Sequence, residues 1–250
     1  MKKLLLLSMG LSMSLLGANA VMAAGFNSVP GCAKDIGVGN NNFAWVLGCA
    51  SGGPGGYEIY RWNGFSFNKV PGAAVRIAVA PNNTPWVVSS DGGIYKRIGG
   101  TFVQVPGCAK DIGVGNNDSA WVLGCASGGP GGYEIYRWNG VSFTQVPGAA
   151  VRIAVAPNGT PWVVSSDGGI YKLINGSFVQ VPGCAKDIGV GRNNSAWVIG
   201  CASGGPGGYE IYRWNSVSFT KVPGAATQIA VAPNGNPWVV TASGSIFRYF

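Results

Sequence analysis

The chain has 250 residues, with 17 Lys and Arg against 9 Asp and Glu, a formal charge of +8 and no His. Without His the commonest general base, the ordinary catalytic triads and the usual metal sites are gone. The basic residues are scattered along the chain, which argues against a nucleic-acid groove. The 42 glycines, set among regularly alternating apolar residues, point to many tight turns rather than to disorder.

The first element is Met1-Lys2-Lys3 followed by an apolar run from Leu4 to Leu16 and then Ala18-Asn19-Ala20. A basic start, a short apolar stretch and an A-x-A end predict a signal peptide over residues 1–20, with cleavage between 20 and 24. Ser8, Ser12 and Ser14 interrupt the run, so a permanent transmembrane segment is not expected, and no other stretch is long enough for one. A secreted or periplasmic protein follows, with its folded domain over 25–250.

A strand of the form F-x-x-V opens that domain at Phe26 to Val29. Val29-Pro30-Gly31-Cys32 then recurs at Val105 and at Val181, a period of 76, and copies 29–104 and 105–180 agree at 67 of 76 positions. The third copy is 181–250. Val70-Pro71-Gly72 restarts a weaker pattern inside each copy, so the chain holds six units, alternately long and short.

Each unit repeats one order of parts. A V-P-G turn leads to an alternating strand such as Ile36-Gly37-Val38-Gly39 or Ile77-Ala78-Val79-Ala80. An Asn-rich turn follows, then a Trp strand (Trp45, Trp86, Trp121, Trp162, Trp197, Trp238). A Gly-rich loop leads to an Ile-Tyr strand such as Ile59-Tyr60, and F-x-x-V closes the unit. Four short strands per unit of about 40 residues is the arithmetic of a propeller blade. The predicted fold is all-β, a six-bladed β-propeller of four-stranded antiparallel blades. The last unit lacks its own F-x-x-V, so the N-terminal strand is expected to complete it and close the ring. The alternative is an open solenoid of sheets.

Six Cys stand as Cys32/Cys49, Cys108/Cys125 and Cys184/Cys201, always 17 apart. The short units carry Ala73/Ser90, Ala149/Ser166 and Ala225/Ala242 at the matching places, so each pair appears or vanishes together. If Asn40-Asn41 is the hairpin tip, Cys32 falls opposite Cys49. Three structural disulfides are predicted, Cys32–Cys49, Cys108–Cys125 and Cys184–Cys201. Zinc or redox chemistry would need a C-x-x-C spacing or a His, and neither is present. No metal and no cofactor are expected.

The only glutamates are Glu58, Glu134 and Glu210, one per long unit. Asp35 is the conceivable partner of Glu58 in a glycosidase pair, but a ring would set three equal active sites, and the chain is read as no enzyme. Gly37-Val38-Gly39 is followed by a turn and a strand, so it is no nucleotide loop.

The V-P-G-x-A-x-x-I-x-V run, the Pro85-Trp86-Val87 strand and the Ile-Tyr-Arg run at Tyr57 to Arg61 resemble the tectonin repeat of tachylectin-1-like and fish-egg lectins and of fungal tectonins. The resemblance covers essentially the whole mature chain. It implies a six-bladed propeller and lectin activity toward microbial glycans such as lipopolysaccharide or toward modified sugars. Some relatives are intracellular adaptors, so the resemblance fixes the fold better than the ligand.

In a blade, successive loops alternate between the two faces of the disc, so the V-P-G turns and the Gly-rich loops share one face. There the long units carry extra residues, such as Ser51 to Gly56, near Lys34, Asp35, Tyr57 and Glu58. The copies are Lys110, Asp111, Tyr133 and Glu134, then Lys186, Asp187, Tyr209 and Glu210. Three equivalent sugar sites are expected there, with aromatic rings on apolar sugar surfaces and polar groups on hydroxyls. A structural alternative is that Asp35, Arg76, Asp111, Arg152 and Asp187 form ion pairs between blades, a pattern that Gln228 breaks. Trp62, Trp138 and Trp214 occur only in long units, beside turns such as Asn63-Gly64, and make a second candidate site on the opposite face. The expected function is multivalent glycan binding by a monomer, with lipopolysaccharide among the ligands. The alternative is a non-catalytic protein-interaction or surface-structural propeller.

Overall fold

Short alternating segments separated by Gly, Pro and Asn turns pair most readily with their sequence neighbours. A computed structural model describes residues 25–40 and 43–250. The expected signal peptide and the middle of the first Asn turn lie outside the described residues. In the first long unit Ala33–Val38, Ala44–Gly53, Gly56–Trp62 and Phe67–Ala74 pair antiparallel in sequence order. The short unit follows with Arg76–Val79, Pro85–Val88 and Gly93–Ile98. Its outer strand is the first half of Thr101–Val114, whose second half is already the inner strand of the next unit.

Val29-Pro30-Gly31 separates Phe26–Val29 from Ala33–Val38, but the other five V-P-G segments do not break the strand as expected. They are bulges inside it, with the register shifting between Gly93 and Ile94 and Gly107 at φ +130°. Only glycine takes that backbone conformation freely, so the strand bends there and continues.

The same order recurs through Pro237–Val240 and Ile246–Tyr249, and Phe26–Val29 pairs antiparallel with Ile246–Tyr249, Phe26 opposite Tyr249 and Val29 opposite Ile246. Among the described residues there is no α-helix. The molecule is an all-β protein, a β-propeller.

Each inner strand packs against the next, and Gln228–Val231 packs against Ala33–Val38. They surround a channel of about 90 Å³. The crowding explains the small residues: a Cβ on Gly37 would stand 3.0 Å from the Val79 backbone nitrogen, and Gly113 and Gly189 meet Val155 and Val231 in the same way. The core lies between neighbouring sheets. Trp45, with Leu47 and Ile59, meets Ile77, Val79 and Val87 of the next unit; Trp238, Val240 and Ile246 of the last unit meet Ile36, Val38 and Trp62 of the first.

Three disulfides join Cys32 to Cys49, Cys108 to Cys125 and Cys184 to Cys201, at Cα separations of 5.6, 5.5 and 5.6 Å. Each ties the start of an inner strand to the adjacent Trp strand.

Candidate functional site

The residues grouped on the Gly-rich face occupy four different environments. Ala33 pairs with Gly48 and Asp35 with Leu47, so Lys34 is the extra residue of a bulge and projects into solvent. Asp35 turns inward and is buried. Tyr57 packs on the cluster of Leu47, Ile59 and Ile77 between two sheets. Glu58 leaves the other side of the same strand, where it accepts from Tyr60 Oη at 2.5 Å and pairs with Lys69 Nζ at 2.5 Å. Those hydrogen bonds, from Lys69 first and then Tyr60, hold its carboxyl below the ordinary range. Glu210 repeats this with Lys221 and Tyr212. Glu134 keeps Tyr136 at 2.5 Å, but Gln145 stands where Lys69 would be. Lys110 and Lys186 are exposed, Asp111 and Asp187 buried, and Tyr133 packs like Tyr57, while Tyr209 is 37% exposed.

The inward carboxylates meet the channel. Asp35, Asp111 and Asp187 alternate there with Arg76, Arg152 and Gln228. Each carboxylate crosses to the next inner strand, accepting from the Ile77, Ile153 and Ile229 amides at 2.9, 2.9 and 2.7 Å. Arg76 stands 3.6 Å from Asp111 and Arg152 3.6 Å from Asp187, ion pairs rather than hydrogen bonds. Burial, partly offset by Arg76, pushes Asp35 up to about 6; burial, partly offset by Arg152, pushes Asp187 up to about 7. Burial would lower Arg76, but Asp35, Asp111 and Asp187 together raise it, so it stays charged.

The opposite face, where the Asn turns lie, holds the more open ground. The register sets a basic residue across from every strand Trp: Arg61, Lys96, Arg137, Lys172, Arg213 and Arg248. Each charge lies over its indole, at 5.3 to 6.0 Å from the ring centre. This crown of six cations escaped the sequence reading. Its signal was present in the Ile-Tyr-Arg, Ile-Tyr-Lys and Ile-Phe-Arg triplets, one to a unit.

Beside the crown stand Trp62, Trp138 and Trp214. Trp138 lies edge-on to Trp86 at 6.1 Å and against Phe143 at 5.0 Å, and Trp62 and Trp214 hold the same places. Trp62 is buried, whereas Trp138 and Trp214 are half-buried. After each, an Asn folds the chain back: Asn139 Oδ1 accepts from the Val141 and Ser142 amides at 2.9 and 2.8 Å. A cleft of about 1040 Å³ opens over Arg137, Trp138 and Asn139, walled by Asn116 to Ser119 and by Pro157 to Gly159. Its counterpart over Arg61, Trp62 and Asn63 is about 530 Å³, with Phe43 and Arg248 on its walls. Lys96 and Asp118 pair at 2.6 Å on the rim of the larger one. An indole edge, a guanidinium and side-chain amides give such a cleft an apolar wall and several donors, the means for holding a polyhydroxylated or anionic ligand.

Among known proteins, the family model for the Tectonin domain matches residues 51–129 and again 128–205. No curated protein matches the chain. Among solved structures, the WD40 β-propeller domain of Doa1 shares 11% identity over 94% of this chain and 98% of its own, at TM-score 0.60. A structural-genomics protein of unknown function from Bacteroides thetaiotaomicron shares 10% over 93% and 72%, at 0.61. A gluconolactonase from Xanthomonas campestris shares 13% over 92% and 99%, at 0.58. At these identities the likeness is one of fold alone, the β-propeller.

Proposed function

The chain belongs to the tectonin domain family, and on that premise we propose that residues 25–250 form a six-bladed ring closed by Phe26–Val29 that binds glycans at the repeated positions beside Trp62, Trp138 and Trp214 and catalyses nothing. The closing pairing of Phe26–Val29 with Ile246–Tyr249 supports the ring, as does the contact of the last inner strand with the first. The three disulfides suit an oxidising compartment, outside the cell or in a periplasm. No helix of the described residues is long and apolar enough to cross a membrane.

The observation that carries the binding reading is the clustering of Trp138, Arg137 and Asn139 at an open cleft, with the same three residue types at Trp62 and Trp214. The half-buried indole supplies a flat apolar wall, and the guanidinium and amide supply donors for hydroxyl or acidic groups, including those of lipopolysaccharide. One such cleft holds a sugar weakly. Three on a rigid ring gain by avidity on a surface that displays many copies. The residues of the Gly-rich face, Lys34, Tyr57 and Glu58 with their copies, form the competing location, where Tyr57 and Glu58 are already engaged by protein neighbours.

A glycan array that includes bacterial lipopolysaccharides tests the reading. The intact protein is expected to bind at least one glycan, and Trp138→Ala with Trp214→Ala, which leaves only the Trp62 cleft and so removes the avidity, to bind it far more weakly. Binding unchanged in that variant but lost in Tyr57→Ala, Tyr133→Ala, Tyr209→Ala moves the site to the Gly-rich face. An array with no ligand at all leaves the protein-interaction reading.

A further inference from the structure

The turn face carries a feature that glycan binding does not use. After Asn63, Asn139 and Asn215 the tip residues are Phe65, Val141 and Val217, exposed at 89%, 79% and 78%. These are the three most exposed large apolar side chains among the described residues. They do not sit on loose loops. The Asn carboxamide accepts from the tip amide at 2.8, 2.9 and 3.0 Å, and from the following Ser amide at 2.8 Å in each case. Each turn thus holds an apolar side chain out into water, one per long unit, at equivalent places around the molecule.

The charge on this face is one-sided. Besides the crown of six it carries Arg97, over Trp45 at 5.3 Å, and Arg192 in the turn Arg192–Asn194. Against those eight stands one acidic residue, Asp118. The other eight acids lie elsewhere: Asp35, Asp111 and Asp187 at the channel, Asp91 and Asp167 in the opposite loops, and the three glutamates beside Tyr60, Tyr136 and Tyr212.

We propose that this face docks on the headgroup layer of an anionic lipid bilayer, with Phe65, Val141 and Val217 entering its outer apolar margin. Charge complementarity selects an anionic partner. A second copy of the chain would set like charge against like. A nucleic acid would satisfy the cations, but Val141 and Val217 have no ring to stack on bases and would stay in water. The tips are separate points spread over a disc rather than one apolar groove, and a planar lipid surface meets all three at once. Each contact is weak alone, and three on one rigid body act together. The inference does not require the glycan reading: the two share cations such as Arg137, but Phe65, Val141 and Val217 line neither described cleft.

Vesicle co-sedimentation tests it with the mature chain. Equimolar phosphatidylglycerol and phosphatidylcholine vesicles, in about 0.1 M salt, are expected to bind the protein, and pure phosphatidylcholine vesicles to bind it poorly. Phe65→Ser, Val141→Ser, Val217→Ser together should weaken binding at least about tenfold. These side chains are solvent-exposed, so the variant folds, and any glycan bound by the intact protein is still bound. No binding to anionic vesicles overturns the proposal. So does equal binding by the triple variant, which would leave a plain polyanion-binding surface, as would tight binding of duplex DNA that ignores the tips.

Discussion

Gly64, Gly140 and Ser216 occupy the same place in the three long turns, one residue before the exposed tips, at φ +105°, +102° and +83°. Glycine takes these angles without cost, whereas a side chain there meets the backbone and costs roughly 1–2 kcal/mol. The third copy alone carries that strain. Ser216→Gly is therefore expected to stabilise the protein by about 1 kcal/mol, read as a higher urea midpoint with an unchanged slope. A midpoint at or below that of the parent would show that Ser216 makes a compensating bond. The crown has a similar division of roles. The side chain of Arg137 lies over Trp121 with its guanidinium exposed, so Arg137→Met keeps most of the stem packing. Its stability should fall by no more than about 1 kcal/mol, while glycan affinity at that cleft falls. A folded variant with full affinity would remove Arg137 from the site.

The Cys hairpins are the elements that distinguish long units from short ones. Each bridge is also a packing surface for the neighbouring unit: a Cβ on Gly168 would lie 2.6 Å from Cys184 Sγ and 3.0 Å from Cys201 Sγ, at a backbone φ of +90°. Short units hold together with Ala149 and Ser166 in the Cys places, so the bridge adds stability to a hairpin that forms without it. Cys108→Ala with Cys125→Ala is expected to cost about 3 kcal/mol for its 17-residue loop and to leave the circular dichroism spectrum unchanged. An unaltered denaturation midpoint would mean the bridge constrains nothing. These hairpins were readable because pairing between adjacent strands needs only spacing and alternation. The Cys pairs, the Trp strands and the β character of the chain follow from that. What escaped depends on how a strand turns its residues. The ion pairs of Arg76 with Asp111 and of Arg152 with Asp187 were legible as the structural alternative, but not that a bulge at Lys34 parts Asp35 from Tyr57, since no local pattern marks a bulge. The V-P-G segments read as turns because Pro and Gly usually end strands, yet five of the six bend one. The crown was hidden because six cations spaced 35 or 41 residues apart look scattered until the register sets each across from a Trp.

At the scale of the whole molecule, the channel decides how stability follows pH. Burial raises Asp35 from 3.8 to about 6 and Asp187 from 3.8 to about 7. Below both ordinary and raised values the two carboxyls are neutral whether the chain is folded or not. As the pH climbs, the unfolded chain ionises freely from about 4, while the folded chain must hold those charges on buried carboxyls. Stability is thus greatest on the acid side and falls as pH rises through 6 and 7. Below about 4 the trend reverses, because Glu58, Glu210, Asp91 and Asp167 are held below their ordinary values and lose their partners on protonation. With no His in the chain, no side chain of ordinary pKa competes between pH 5 and 8. The urea midpoint at pH 5 should exceed that at pH 8, by a free energy on the order of 4 kcal/mol. The repeat supplies a sharper version. Arg76 faces Asp111 and Arg152 faces Asp187, so the third partner in register is position 228 facing Asp35, where the chain has Gln. Gln228→Arg would give Asp35 a cation from the last unit, drawing its carboxyl back down and flattening the change between pH 5 and 8. That rescue requires the last inner strand to lie beside the first. The same variant with Asp35→Asn must lose the benefit; if Gln228→Arg acts identically with and without Asp35, the two strands are not partners and the ring is not closed.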